Sequence, residues 1–309
     1  PETAPMFDPD AVERQDLRAL FEHMSGHEAV KLDPPTSLPG VQAKVSAQMY
    51  STPIATEKGP AILKLSPPQG YPQLVENEHF FMGLAAQCGL PVADHQLVRD
   101  GKGNAGLLVA RFDRRVDPSG RVIRTPQEDA CQVMGGMFPA AKYRLKTESV
   151  ITALAGVCER GGGSARVATL ELLRLVAYSY AIGNGDLHGK NFSVQLAESG
   201  LWSVTPAYDL LCTQPYLGWR DPMALDFYGK ANKLNRRHFV ESGGRLGVPE
   251  RAVTRMLDGV RKGIGRGIEE IETIGFTAKE NALLRTLMER RSDELLNRFT
   301  TLETRCPRA

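Results

Sequence analysis

Apolar residues recur at helical spacing near the start of the chain, at Val12, Leu17, Leu20, Phe21 and Met24, and Asp10 and Glu13 stand before them like a capping box. One amphipathic helix is therefore expected from Asp10. Residues 31–40 carry Pro34, Pro35 and Pro39 and can only form a turn-rich connection. The pattern then changes to short, partly alternating runs at 41–50 and 61–65, separated by Gly59-Pro60, which predict strands of an antiparallel meander. Helical spacing returns over 74–89, with Leu74, Val75, Phe80, Phe81, Leu84 and Ala85 as the apolar face and Gly89 as the stop. Further strands are expected at 95–98, 105–112 and 121–123. Beyond Gln127 the chain reads as mainly helical. Its most apolar stretch, 170–182, predicts a mostly buried helix that ends where Gly183-Asn184-Gly185 begins, and a short hairpin follows at 192–196 and 201–204. The run Gly161-Gly162-Gly163-Ser164 reads as a mobile connection between helices.

This order predicts an α+β protein of two lobes, β-rich over residues 1–112 and mainly helical over 113–309, with a cleft between them. Composition adds few constraints: 309 residues, 42% hydrophobic and 24% charged, are ordinary for a globular enzyme. A net charge of +2 and a pI near 8.4 create no strong field, so charge demands neither a nucleic acid nor a membrane as partner. The five cysteines, Cys88, Cys131, Cys158, Cys212 and Cys306, are odd in number, contain no C-x-x-C and read as reduced thiols of a cytosolic protein. No apolar run approaches the ~18 residues needed to span a bilayer, and the cytoplasm is the expected location. His23 and His27 are four apart, but no third ligand is near, so they read as a surface pair and not a metal site.

The polar segment after the apolar helix carries the chemistry. Asp186 and Asn191 in Asp186-Leu187-His188-Gly189-Lys190-Asn191 have the D-x-x-x-x-N spacing with which a phosphoryl-transfer loop sets one carboxylate beside an attacking hydroxyl and one amide on a metal. Asp209, in Tyr208-Asp209-Leu210, would be the second oxygen ligand for Mg2+. Asp, Gly and Asn also build plain turns, so the spacing alone has little weight; its setting between a buried helix and a hairpin raises it. Lys64 sits in the apolar run Ile62-Leu63-Lys64-Leu65, where an ammonium needs an anion: phosphate oxygens, and Glu78 or Glu76 on the following helix. The segment from Ser37 to Lys44, with Leu38, Gly40, Val41 and Gln42, could turn backbone N–H groups toward phosphates, but with one glycine it reads equally as a structural turn.

Taken together, Ser37-Leu38-Pro39-Gly40-Val41-Gln42-Ala43-Lys44, Ile62-Leu63-Lys64-Leu65, Val75-Glu76-Asn77-Glu78, Arg111-Phe112-Asp113-Arg114-Arg115, Pro126-Gln127-Glu128-Asp129, the Asp186 to Asn191 loop and Tyr208-Asp209 resemble the HipA-type serine/threonine kinases, toxins of bacterial toxin-antitoxin systems. The blocks keep the family's order over roughly residues 36 to 240. The resemblance implies a two-lobed protein-kinase-like fold that uses ATP and Mg2+. It implies that Lys64 holds the α- and β-phosphates with Glu78 as its partner, and that backbone around Ala110 to Phe112 meets adenine. Asp186 would accept the proton of the substrate hydroxyl, His188 would lie near the phosphates, and Asn191 with Asp209 would hold the metal. Ser37 matches the family's autophosphorylated serine; about two negative charges there would repel ATP. The implied substrate is a protein, in this family typically an aminoacyl-tRNA synthetase.

Departures from the pattern are also informative. Only 36 residues precede Ser37 where HipA proteins of ordinary length have about a hundred, so the extra N-terminal subdomain is expected to be lacking. That resembles the shortened HipT toxins of three-gene systems, whose partners are HipS, similar to the lacking subdomain, and HipB, through which DNA is reached only indirectly. Pro39 removes a second modifiable residue two positions after Ser37. Two other readings compete. A small-molecule phosphotransferase of the aminoglycoside or choline kind uses a similar loop, but Asn184 and Gly185 stand where it usually has His. A catalytically idle kinase fold in a repressor complex would have no need of Lys64, Asp186, Asn191 and Asp209 together.

Overall fold

The computed structural model describes residues 14–27, 48–135 and 139–296, with residues 7, 8, 12 and 45 besides. The first helix, α1 (Leu17–His27), begins later than its apolar spacing suggested. Asp16 caps it by accepting from the Ala19 N–H, while the expected Asp10–Glu13 box lies outside the described residues.

Four strands form one antiparallel sheet: β1 (Tyr50–Thr56), β2 (Gly59–Leu65), β3 (His95–Arg99) and β4 (Ala105–Ala110), in the order β1-β2-β4-β3. Of the strand expected at 41–50, residues 41–44, 46 and 47 lie outside the described residues, and Tyr50 opens β1. Val45 and Met49, four residues apart, both enter the core, and a turn bond from Gln48 N–H to Val45 O lies between them. Among the described residues the strand alternation runs from Tyr50 to Thr56. Pro53 is tolerated there because β1 is an edge strand, where a missing N–H breaks no inner ladder. Strands β1 and β2 pair antiparallel as expected, but the sheet does not continue as a meander beyond them. Helix α2 (Leu74–Gln87) crosses between β2 and β3, β3 lands at the far edge, and β4 fills the gap beside β2.

A hairpin of β5 (Arg114–Val116) and β6 (Val122–Arg124) leads into β7 (Gln127–Asp129) and the short α3 (Ala130–Val133). The helical part comprises α4 (Thr147–Arg160), α5 (Ala165–Ile182), α6 (Gln214–Leu217), α7 (Arg236–Arg245), α8 (Glu250–Glu270) and α9 (Ala278–Glu294). The expected hairpin is β8 (Ser193–Leu196) with β9 (Trp202–Val204), and β7 joins its outer side as an unforeseen third strand.

Helix α5 is the axis of the main core. Leu172, Leu173, Val176 and Ile182 are fully buried, each contributing about 1.5–3 kcal/mol. The glycine run before it packs as a tight, hydrogen-bonded turn. Trp202 N–H donates to Gly161 O, Gly163 N–H to Cys158 O, and a Cβ on Gly163 would lie 2.2 Å from Trp202 O. These glycines are there so that β9 can lie directly on the turn. Cys88, Cys131, Cys158 and Cys212 are buried and free. Among the described residues no helix is long and apolar enough to cross a membrane.

Candidate active site

The polar loop gets its shape from two glycines. Gly183 ends α5 in the left-handed conformation (φ 78°), and Asn184 N–H returns to Ser179 O at 2.9 Å. Gly185 then passes against the segment beyond Asp209. Its N–H donates to Thr213 Oγ1 at 2.9 Å, that hydroxyl donates to Asp221 Oδ2 at 2.6 Å, and a Cβ on Gly185 would sit 1.9 Å from the same carboxylate oxygen. Asn184 Oδ1 accepts from Asp186 N–H, fixing the backbone at Asp186. The Asp186 side chain is buried, and the Tyr143 hydroxyl donates to its Oδ1 at 3.4 Å.

Past Asp186 the chain makes a single 3-10 turn, Gly189–Asn191. Asn191 Oδ1 accepts from His188 N–H at 3.0 Å, which orients the amide so that Nδ2 donates to Asp209 Oδ2 at 3.3 Å. Asp209 is itself in the left-handed region (φ 54°), a conformation a short polar side chain tolerates better than most. Tyr208 anchors it from the preceding position, its hydroxyl donating to Lys190 O at 2.6 Å and lying 2.7 Å from Ser193 Oγ.

Lys64 comes from the other lobe. Strand β2 is buried on both faces around it, and the ammonium meets two carboxylates: Glu78 Oε1 of α2 at 2.6 Å and Asp209 Oδ1. Glu76, the alternative partner, pairs instead with Arg99 at 3.2 Å. Burial opposes the charge on Lys64, but Asp209 and Glu78 overcome it and hold its pKa above the usual lysine value. Burial likewise raises Glu78, to about 7, despite Lys64, and Asp209's charge adds to the rise. Asp209 is the favoured partner: burial pushes it up, but Lys64 brings it below the ordinary range.

Lys64, Glu78, Asp186, His188, Asn191 and Asp209 thus converge on one cleft. Ala110 and Phe112 lie at its side: Ala110 N–H donates to Asp94 O, and the Phe112 ring packs 5.6 Å from Tyr208. Beside Tyr208 opens a cavity of about 470 Å³, bounded by Asp113, Arg114, Arg124, Asp129 and Lys190. Ser37, Leu38, Gly40, Val41 and Gln42 lie outside the described residues. Sequence reading missed Asn77, Lys142, Tyr143, Thr213 and Asp221, all of which touch the site or its supports. Only Asn77 had a local signal, as the polar residue between Glu76 and Glu78 on a helix whose face there is wholly buried.

The oxygens present suit a hard divalent ion. Asp209 keeps 31% of its side chain open to the cleft, and Asn191 Oδ1 has a second lone pair beyond the one used by His188 N–H. Two such ligands are what Mg2+ takes from protein when phosphates and water complete its shell. Among the described residues no cluster of three or more His, Cys, Asp or Glu could hold a metal by itself.

A sheet lobe that delivers a lysine–glutamate pair to a helical lobe bearing Asp186, Asn191 and Asp209 defines a two-lobed kinase-like fold. The model of the HipA-like C-terminal domain matches residues 36–267, and the chain belongs to that family. It is 32% identical to Y4mE of Sinorhizobium fredii, named as a kinase by inference, over 80% of this chain and 59% of that protein. It is 29% identical to the serine/threonine-protein kinase toxin HipA of Shewanella oneidensis, over 77% of this chain and 58% of that protein. The chain therefore spans under three-fifths of the length of these relatives. Among solved structures, the Shewanella oneidensis HipA, HipB and operator DNA complex aligns with a TM-score of 0.66 at 20% identity, over 91% of this chain and 71% of the matched one. The Helicobacter pylori proinflammatory kinase CtkA aligns at 0.55 and 14% identity, over 80% of this chain and 91% of that one.

Proposed function

We propose that the chain is an ATP-dependent serine/threonine protein kinase acting as the toxin of a bacterial toxin-antitoxin system. The observation that carries this reading is the Lys64 ammonium held between Glu78 and Asp209, with Asn191 on the other Asp209 oxygen. Phosphoryl transfer needs positioning and charge stabilisation more than covalent chemistry, and these groups supply both. Lys64 binds the α- and β-phosphates. Asp186 orients the attacking hydroxyl and accepts its proton, while His188 lies beside the phosphates. Asn191 and Asp209 hold Mg2+, which when bound neutralises charge developing on the phosphate oxygens. Backbone from Ala110 to Phe112 receives adenine at the junction of the lobes, 1–112 and 113–309. Ser37 is the autophosphorylation site that turns the enzyme off, with Leu38, Gly40, Val41 and Gln42 forming the phosphate loop.

The substrate in this reading is an aminoacyl-tRNA synthetase, whose modification halts translation in the cytoplasm. Antitoxins resembling HipS and HipB are the partners, and HipB brings the complex to DNA; the relative from Shewanella oneidensis is seen with HipB and operator DNA. The test is a labelled-ATP reaction in a bacterial lysate with the chain and with Asp186→Asn. A discrete labelled protein that disappears with the variant supports the reading. Label only in small molecules would make the chain a small-molecule phosphotransferase, and no transfer at all would make it an idle kinase fold.

A further inference from the structure

We propose that the groove where α5 and α8 meet the end of α2 is a docking site for an acidic protein segment that carries an apolar anchor residue. The groove lies at the opposite end of α2 from Asn77 and Glu78 and is separate from the cleft, whatever reaction the cleft carries out. It encloses about 440 Å³, and four cations bound it: Arg174 of α5 and Arg255, Lys262 and Arg266 of α8. Positions 255, 259, 262 and 266 fall on one face of a helix, so the three α8 cations form a stripe roughly 16 Å long. Gly259 opens the groove at its middle, where a Cβ would meet nothing within 4 Å.

Three observations favour a partner that is both acidic and partly apolar. First, no carboxylate lines the groove among the described residues, and the exposed Arg255 and Lys262 form no ion pair among them. Asp258 stands at i+3 from Arg255 and i−4 from Lys262, but its carboxylate pairs with Arg236 of α7 at 3.0 Å. Second, the other two cations are held in place by neutral groups. Arg174 Nη1 donates to Gly89 O at 2.6 Å and Arg266 Nη2 to Gln87 O at 2.8 Å, so carbonyls at the end of α2 hold both guanidiniums at the groove wall. Glu171, one turn before Arg174 on α5, feels its charge but does not line the groove. Third, the floor is apolar. Cys88, Leu170 and Met256 line it, and Val167, three positions before Leu170 on the same side of α5, is 55% exposed. A nucleic-acid backbone matches the cations but leaves this floor unfilled. A segment of glutamates or aspartates with one leucine-like side chain matches both.

Fluorescence anisotropy with the whole chain at ~0.15 M salt tests this, using a labelled peptide of glutamates around one leucine, its glutamine counterpart and a labelled DNA duplex. The acidic peptide should bind and the glutamine peptide should not. Arg255→Gln combined with Lys262→Gln should weaken the acidic peptide by roughly ten- to thirtyfold. Arg251→Gln combined with Arg261→Gln removes the same charge from exposed positions of α8 outside the groove, and should change binding by less than about threefold. Gly259→Leu keeps every charge but fills the middle of the groove, and should cost about tenfold. Equal losses for the two double variants would mean attraction by charge alone and overturn the proposal. Full binding by Gly259→Leu overturns it too, as does a wild-type chain that fails to bind the acidic peptide. DNA bound in preference to that peptide, and lost with Arg255 and Lys262, would make the groove a nucleic-acid surface instead.

Discussion

Asn77 and Cys212 exchange two hydrogen bonds across the lobes: Asn77 Nδ2 donates to Cys212 O at 2.8 Å, and Asn77 Oδ1 accepts from Cys212 N–H at 3.0 Å. Asn77 adjoins Glu78 on α2, and Cys212 lies three residues past Asp209, so this one amide ties together the two carboxylates that grip Lys64. Asn77 Nδ2 also meets Tyr216 Oη at 3.1 Å, and the side chain is completely buried. Asn77→Ala strands the buried N–H and C=O of Cys212, each costing about 1–3 kcal/mol. Urea unfolding should show a loss of ~2–4 kcal/mol, with Asn77→Asp also destabilised because it keeps the acceptor and loses the donor. An unchanged midpoint for Asn77→Ala would mean that the clamp is unimportant.

Glu78 makes stability depend on pH. Its ordinary value is 4.5, and burial raises it in the folded protein to about 7. A carboxyl raised on folding contributes stability that is complete below its unfolded pKa and is lost as pH climbs through the folded one. The gap corresponds to roughly 3 kcal/mol, lost between about pH 4.5 and just above 7. His79, His188 and His238 are lowered on folding and act in the opposite sense nearby, so the informative quantity is the stability of wild type minus that of Glu78→Gln. That difference should fall as pH rises across the window. A flat difference would show Glu78 ionised throughout. The ionised form anchors Lys64, so the anchor is strongest where it costs the fold most.

The readable parts of the site were those in which local sequence and tertiary role coincide. An apolar run stopped by Gly183 specifies a buried helix and its end, and a lysine inside an apolar strand demands an anion wherever the strand goes. Lys142 gives no such sign, because its turn has no periodicity and its relation to His188 arises only when two distant segments meet over Gly189. The glycines at 161–163 have the composition of a flexible linker, yet Trp202, forty residues on, makes them a tight turn. Strand order was not legible for a similar reason: alternation marks β3 and β4 as strands but says nothing about which of them reaches β2. The Ser37 segment lies outside the described residues, so its reading as a phosphate loop rests on sequence.

Helix α8 offers the same substitution with opposite expected signs. It carries Gly259, Gly263, Gly265 and Gly267, and its inner face backs onto α2, the helix that bears Asn77 and Glu78. A Cβ at Gly259 or Gly265 meets nothing within 4 Å, so alanine there gains only helix propensity and should stabilise by up to about 1 kcal/mol. At Gly263 a Cβ would come within 2.9 Å of both Cys88 Cα and Gln87 O, backbone atoms that cannot swing aside, and 2.4 Å from Cys88 Sγ. At Gly267 it would lie 2.4 Å from Leu84 Cδ2. Overpacking of this kind costs about 1–3 kcal/mol, enough to outweigh the propensity gain at Gly263 and, to the extent that Leu84 cannot rotate away, at Gly267. Denaturant midpoints should therefore rise for Gly259→Ala and Gly265→Ala and fall for Gly263→Ala, with Gly267→Ala below the exposed pair. Because relief of the clash at Gly263 requires α2 to move, nucleotide affinity should fall for Gly263→Ala and stay level for Gly259→Ala. Four midpoints moving in the same direction would show that α2 is not seated on α8 as closely as this geometry requires.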